Sequence, residues 1–151
     1  MRDELPGVPV LALTASATKE IREDICVRLK MVRPVIFRQS FLRPNLSFSV
    51  LKTASIFNSI TGILGKQEGS TIIYCRNRRR TREISDLLNM HGILADYYHA
   101  GLAQDERSVK QDRWMKNAKR VMVCTNAFGM GIDKHDVRLV LHADLPDCLE
   151  N

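Results

Sequence analysis

Apolar residues in this chain fall into short runs separated by polar, glycine-bearing corners. Val8 to Leu13 is a run of this kind after Pro6 and Pro9, and it predicts a buried strand. Ile21, Ile25 and Leu29 then recur every four residues and predict the buried stripe of a helix. Thr18 can cap that helix, and Glu20, Glu23 and Asp24 sit near its start, where the helix dipole favours anions. Val35-Ile36-Phe37 and the alternating stretch Leu46 to Leu51 predict two more strands, with a connector from Ser40 to Asn45 between them. Ile56, Ile60, Ile63 and Leu64 follow helical spacing until Gly65 and Gly69 break it.

Beyond residue 70 the alternation becomes regular. Thr71 to Cys75 reads as a buried strand. Ile84, Leu87 and Leu88 mark a helix that stops at Gly92. Ile93 to His99 is the next strand. Gln104 to Asn117 is a polar helix, with Val109 and Trp114 as its expected anchors. Val121 to Cys124 and Val137 to His142 complete the strands. Strands alternating with helices predict a parallel α/β sheet flanked by helices. Such sheets bind ligands beyond the carboxyl ends of their strands. That rule gathers Arg76-Asn77, His99-Ala100-Gly101 and Thr125-Asn126 on one edge, although sequence separates them widely.

Composition adds sign and compartment. The 151 residues suit one domain of ordinary size, and the net charge of +6 with a pI near 9.4 favours polyanionic partners. Arg76, Arg78, Arg79, Arg80 and Arg82 crowd one helix start, with Asn77 as its cap. Cations there oppose the helix dipole, and a bound phosphate would reverse that sign. A solvated charge run is the competing reading. The four cysteines, Cys26, Cys75, Cys124 and Cys148, form no Cys-x-x-Cys pair, so no zinc or thioredoxin-type site is indicated. Cys75 and Cys124 read as buried hydrophobes, which suits a reducing, intracellular compartment; if the source is bacterial, that is the cytoplasm and its nucleoid. No apolar run is long enough to span a bilayer.

The corners also carry a family resemblance. Leu13 to Thr18 resembles the third motif of the superfamily-two helicases, with Ser16 where many relatives have threonine. Phe41-Leu42-Arg43-Pro44-Asn45 resembles the link before their second motor domain, and Ile72 to Asn77 their fourth motif. Tyr98-His99-Ala100-Gly101-Leu102 and Ala127-Phe128-Gly129-Met130-Gly131-Ile132-Asp133 take the form typical of RecQ DNA helicases. The matches run in family order from about Pro9 to Pro146.

The resemblance implies a RecA-like fold of the P-loop NTPase type. Residues 1–40 would be the tail of the first motor domain, and 41–151 the second, truncated before the sixth motif. It implies that Thr14, Ser16 and Thr18 couple the ATP site to DNA. Arg76, Asn77, Arg78, His99, Thr125 and Asn126 would lie along the DNA backbone, and Gly129, Gly131 and Asp133 near the nucleotide. Several have a local alternative: a cap for Thr18 and Asn77, a hydrogen-bonded structural role for His99, a turn for Thr125 and Asp133. Trp114 is read as a core anchor rather than a base-stacking platform. No G-x-x-x-x-G-K-[ST] loop and no Asp-Glu-x-His motif is present. The expectation is therefore an inactive piece of an ATP-dependent, 3′-to-5′ DNA helicase. The parent would use ATP and Mg²⁺, the piece would hold neither stably, and its partners would be DNA and the first motor domain, with no membrane. A non-catalytic nucleic-acid-binding module and a superfamily-two RNA helicase are the alternatives.

Overall fold

A computed structural model describes residues 7–14, 17–40, 43–129 and 131–145. The chain divides into two units, residues 1–49 and 50–149. The first holds one helix, α1 (Lys19–Arg28), whose amino end is capped by Thr18: its side chain accepts from the Ile21 N–H at 3.3 Å. No residue of α1 is buried, and Ile21 is half exposed, so the expected stripe covers nothing within this unit. Residues 8–13, 35–37 and 46–51 form no strand, and Leu11, Leu13, Phe37 and Phe48 stand exposed. An apolar run becomes a strand only when a ladder partner satisfies its backbone, and none pairs with these runs among the described residues.

The second unit is where alternation and pairing agree. Its elements run α2 (Ile56–Leu64), β1 (Ser70–Tyr74), α3 (Arg78–Met90), β2 (Ala95–Tyr98), α4 (Gln104–Met115), β3 (Val121–Cys124) and β4 (Val137–His142). The four strands form one sheet in the order β2-β3-β1-β4, and every pairing is parallel. Tyr74, Tyr98, Cys124 and His142 end their strands in register, so all four carboxyl ends share one rim.

Period-two alternation sends neighbouring residues to opposite faces. Ile73, Val121 and Val123 pack under α2 and α3 against Ile60, Leu64, Ile84 and Leu88. Ile72, Met122, Cys124 and Tyr98 face α4 and pack with Trp114 and Phe128. Full burial of each such side chain is worth about 1.5–3 kcal/mol. Ser55 and Asn77 cap α2 and α3, each side chain accepting from the backbone N–H three residues on. Gly92, at φ 75°, ends the turn that stops α3.

The polar helix α4 departs from its sequence pattern. Trp114 is fully buried as expected, whereas Val109 is half exposed. Its second anchor is Lys110, whose buried ammonium lies 2.5 Å from the Asp96 carboxylate of β2 and 3.8 Å from the centre of the Tyr97 ring. A buried charge is tolerated only when paired, and that pairing depends on a residue fourteen positions away.

Candidate nucleic-acid interface

The carboxyl rim is built from three strand-to-loop corners tied by backbone hydrogen bonds. The Cys75 N–H donates to Cys124 O at 2.8 Å, and the Thr125 N–H donates to Tyr98 O at 3.2 Å. Those bonds bring the Arg76, His99 and Thr125 corners together on one side of the sheet. Between β1, β3 and β4 they frame a cavity of about 180 Å³, lined by Tyr74, Arg76, Thr125, Asn126, His142 and Asp144 among others.

The arginine run separates into distinct environments. Arg79 and Arg82 pair along their own helix with Glu83 and Asp86, at 2.7 and 3.7 Å. Arg80 reaches Asp144 Oδ1 at 2.7 Å, while Asp144 Oδ2 accepts the Arg76 N–H at 3.0 Å. Arg78 is exposed and has no carboxylate within ion-pair distance among the described residues. Its guanidinium lies against Gly101: a Cβ there would fall 2.7 Å from Arg78 Nη1. The glycine therefore serves close approach, since any side chain would push the guanidinium off the rim. Asn77 spends its side-chain oxygen on the α3 cap, 2.8 Å from the Arg80 N–H.

His99 is half-buried beside this cation, and its Nδ1 has no hydrogen-bond partner among the described residues. Burial first, and the Arg78 charge second, hold its pKa below the ordinary 6.5. A neutral imidazole beside a free guanidinium can donate or accept locally without cancelling the cation. Asn126 is exposed on the next corner, and Thr125 O accepts the Phe128 N–H at 3.1 Å to close a turn.

Beyond that turn the chain runs through Gly129 and Gly131, at φ 118° and 76°. Side chains rarely tolerate such angles, which accounts for both glycines. Asp133 follows with its carboxylate exposed, 3.7 Å from His135 Nδ1. Thr14 is exposed in the first unit, Thr18 is its helix cap, and Ser16 and Met130 lie outside the described residues. Among the described residues, no three His, Cys, Asp or Glu side chains converge as a metal-binding group, and no helix is long and apolar enough to cross a membrane.

Two rim residues escaped the sequence reading. Asp144 orients the Arg76 and Arg80 corner, and its position just after a parallel strand was the available signal. Tyr74 looked like strand core, yet its hydroxyl donates to Phe128 O at 3.0 Å.

Comparison with known proteins agrees with this geometry. The family described as the helicase conserved C-terminal domain matches residues 52–151. A protein of Acanthamoeba polyphaga mimivirus that carries an ATP-dependent RNA helicase name is 39% identical, over 99% of this chain and 28% of its own length. The RecQ-like DNA helicase BLM of Xenopus laevis is 41% identical, over 99% of this chain and 11% of its own. The chain thus spans little more than a quarter of the first relative and about a tenth of the second. Among solved structures, the C-terminal domain of Dbp5 from S. cerevisiae superposes with a TM-score of 0.57 at 26% identity, covering 62% of this chain and 53% of that one. The family match takes in every strand and rim residue described above, and the chain belongs to the helicase conserved C-terminal domain family, with RecQ-type DNA helicases among its relatives.

Proposed function

We propose that this chain is the second RecA-like half of an ATP-dependent DNA helicase of RecQ type, moving 3′ to 5′ on one strand. Residues 1–40 are then the tail of the first half and 41–151 the second. Arg78 is the principal phosphate grip. Arg76, Asn77, His99, Thr125 and Asn126 line the strand beside it, where contacts to phosphate give affinity without sequence choice. Gly129, Gly131 and Asp133 face the nucleotide, and Thr14, Ser16 and Thr18 link it to DNA. The exposed Asp133 carboxylate is an acceptor suited to a ribose hydroxyl, and the open space around Gly131 leaves room for one. ATP with Mg²⁺ supplies the energy of the parent.

The observation that carries this reading is the Arg78 guanidinium, without an ion-pair partner among the described residues, on the carboxyl rim of a parallel sheet, where ligands of such sheets bind. The test is made on the full-length protein. ATP turnover should rise with single-stranded DNA, and duplexes with a 3′ tail should be unwound. Salt-sensitive DNA binding with no ATP turnover would return the chain to a binding module. Turnover stimulated by RNA alone would favour the RNA reading, which the mimivirus relative's name supports. Within the DNA reading, Asp133→Ala should lower kcat/KM for ATP by about tenfold or more, with a much smaller change in DNA affinity. Equal turnover in variant and wild type would remove Asp133 from the nucleotide site.

A further inference from the structure

The peptide between Phe128 and Gly129 is held from both sides. The Phe128 ring is wedged in the core, 4.8 Å from the Tyr98 ring and 5.3 Å from the Trp114 ring. Its carbonyl oxygen accepts the Tyr74 hydroxyl at 3.0 Å. The Tyr74 ring in turn stacks on His142, with centroids 5.3 Å apart and planes 28° from parallel. Gly129 is where this arrangement leaves no latitude: a Cβ would fall 2.6 Å from the Tyr74 hydroxyl oxygen, and φ is already 118°. So this glycine has two jobs. It permits the angle, and it vacates the space that the hydroxyl enters. The Gly129 carbonyl then accepts the Ile132 N–H at 3.2 Å, which closes the next turn. The hydroxyl therefore grips the one point between Thr125-Asn126 on one side and Gly131-Asp133 on the other.

We propose that Tyr74 is a positioning residue: its hydroxyl fixes the orientation of the Phe128–Gly129 peptide and thereby the spatial relation between the two halves of the loop. The part of this inference that concerns catalysis rests on the helicase reading, in which one half of the loop meets DNA and the other the nucleotide. Glycine rotates freely about its backbone, so without the hydroxyl the Phe128 ring still anchors one side of the peptide but its carbonyl has lost the side-chain donor that sets its direction. The loop's two halves then sample independent positions while the apolar core stays packed.

Tyr74→Phe in the full-length protein isolates the effect, because it keeps the ring and its stacking on His142. Amide hydrogen exchange at Ile132, whose N–H is bonded to Gly129 O, should quicken by about fivefold, the consequence of losing the partly buried hydrogen bond that holds the preceding peptide. DNA-stimulated kcat should fall by a similar factor, while the melting temperature moves by less than about 3 °C. Gly129→Ala should cost less in the Tyr74→Phe background than in wild type, because the collision with the hydroxyl is gone and only the backbone strain remains. Unchanged exchange at the Ile132 amide, or strictly additive effects of the two substitutions, would overturn the proposal. If the wild-type protein showed no DNA-stimulated turnover, the helicase reading would fail, and the exchange measurement would still decide the role of Tyr74.

Discussion

Both ends of the parallel sheet carry cations, and Lys134 and Arg120 at one are held very differently from Arg78 at the other. At the amino end, the Lys134 ammonium is buried and meets three acceptors: Asp136 Oδ1 at 2.8 Å, Asn117 Oδ1 at 2.7 Å and Met115 O at 3.1 Å. Arg120 spreads its guanidinium over Gly69 O, Leu64 O and Gln67 O. Ser70 donates to Asp136 at 2.9 Å. The hydrogen bond from Lys134 foremost, and that from Ser70 after it, hold the Asp136 carboxyl below its ordinary 3.8. At the carboxyl end Arg80 is paired with Asp144, but Arg78 lies beside a glycine with no counter-ion among the described residues, and His99 keeps a buried nitrogen without a partner among them. Net charge alone does not mark a binding surface. What distinguishes the ends is whether the cation's donors are already occupied by the protein.

That difference is most severely tested by Lys134→Met. It removes a buried donor, takes away the side-chain partner of Met115 O and leaves Asp136 and Asn117 with the Ser70 hydroxyl, so unfolding free energy should drop by about 2 kcal/mol, read from urea denaturation followed by circular dichroism. A change below about 0.5 kcal/mol would mean that the amino end is as loosely held as the other.

Arg78→Ala should do the reverse. Stability should shift by less than about 0.5 kcal/mol, while DNA affinity of the full-length protein falls by about tenfold and the slope of log K against log salt flattens by about one. Fluorescence anisotropy across a salt series measures both. An unchanged slope would return Arg78 to ordinary solvated surface.

The smallest effect concerns protons. The His99 pKa is lowered on folding, so its contribution to stability is complete above 6.5 and is lost as pH falls through the folded value. A phosphate brought alongside would favour the charged ring, so DNA binding should take up a proton and tighten by about two- to threefold on going from about pH 7.5 to 5.5. The same titration on His99→Gln should be flat over that step. An equal pH dependence in both proteins would place the proton elsewhere.

The rim was legible from sequence because it needs only two facts, strand order along the chain and parallel direction. Arg76, His99 and Thr125 each follow a short apolar run, and parallel pairing does the rest. The polar partners were not legible. Lys110 occupies what looks like a solvated helix face, and nothing local announces Asp96; Arg80 gives no sign of Asp144, far along the chain after β4. Long-range pairs of this kind are set by packing, which periodicity does not encode. The first unit failed for a related reason. Residues 8–13 and 35–37 have strand-like composition, but composition cannot supply the neighbouring strand that a ladder requires.

Alternation across the sheet also decides the chemistry of two thiols. Cys75 packs in the cluster beneath α2 and α3, and Cys124 in the one beneath α4, although their backbones are joined by a single hydrogen bond. Opposed in this way, they have no route to a mutual disulfide that leaves the ladder intact. Burial pushes the Cys75 thiol up to about 12 and the Cys124 thiol higher still, so neither offers a thiolate near neutrality. Cys75 borders the rim cavity, whereas the Cys124 sulfur is fully buried, so its alkylation waits on opening of the sheet, and its rate is a built-in clock for how often the second unit comes apart.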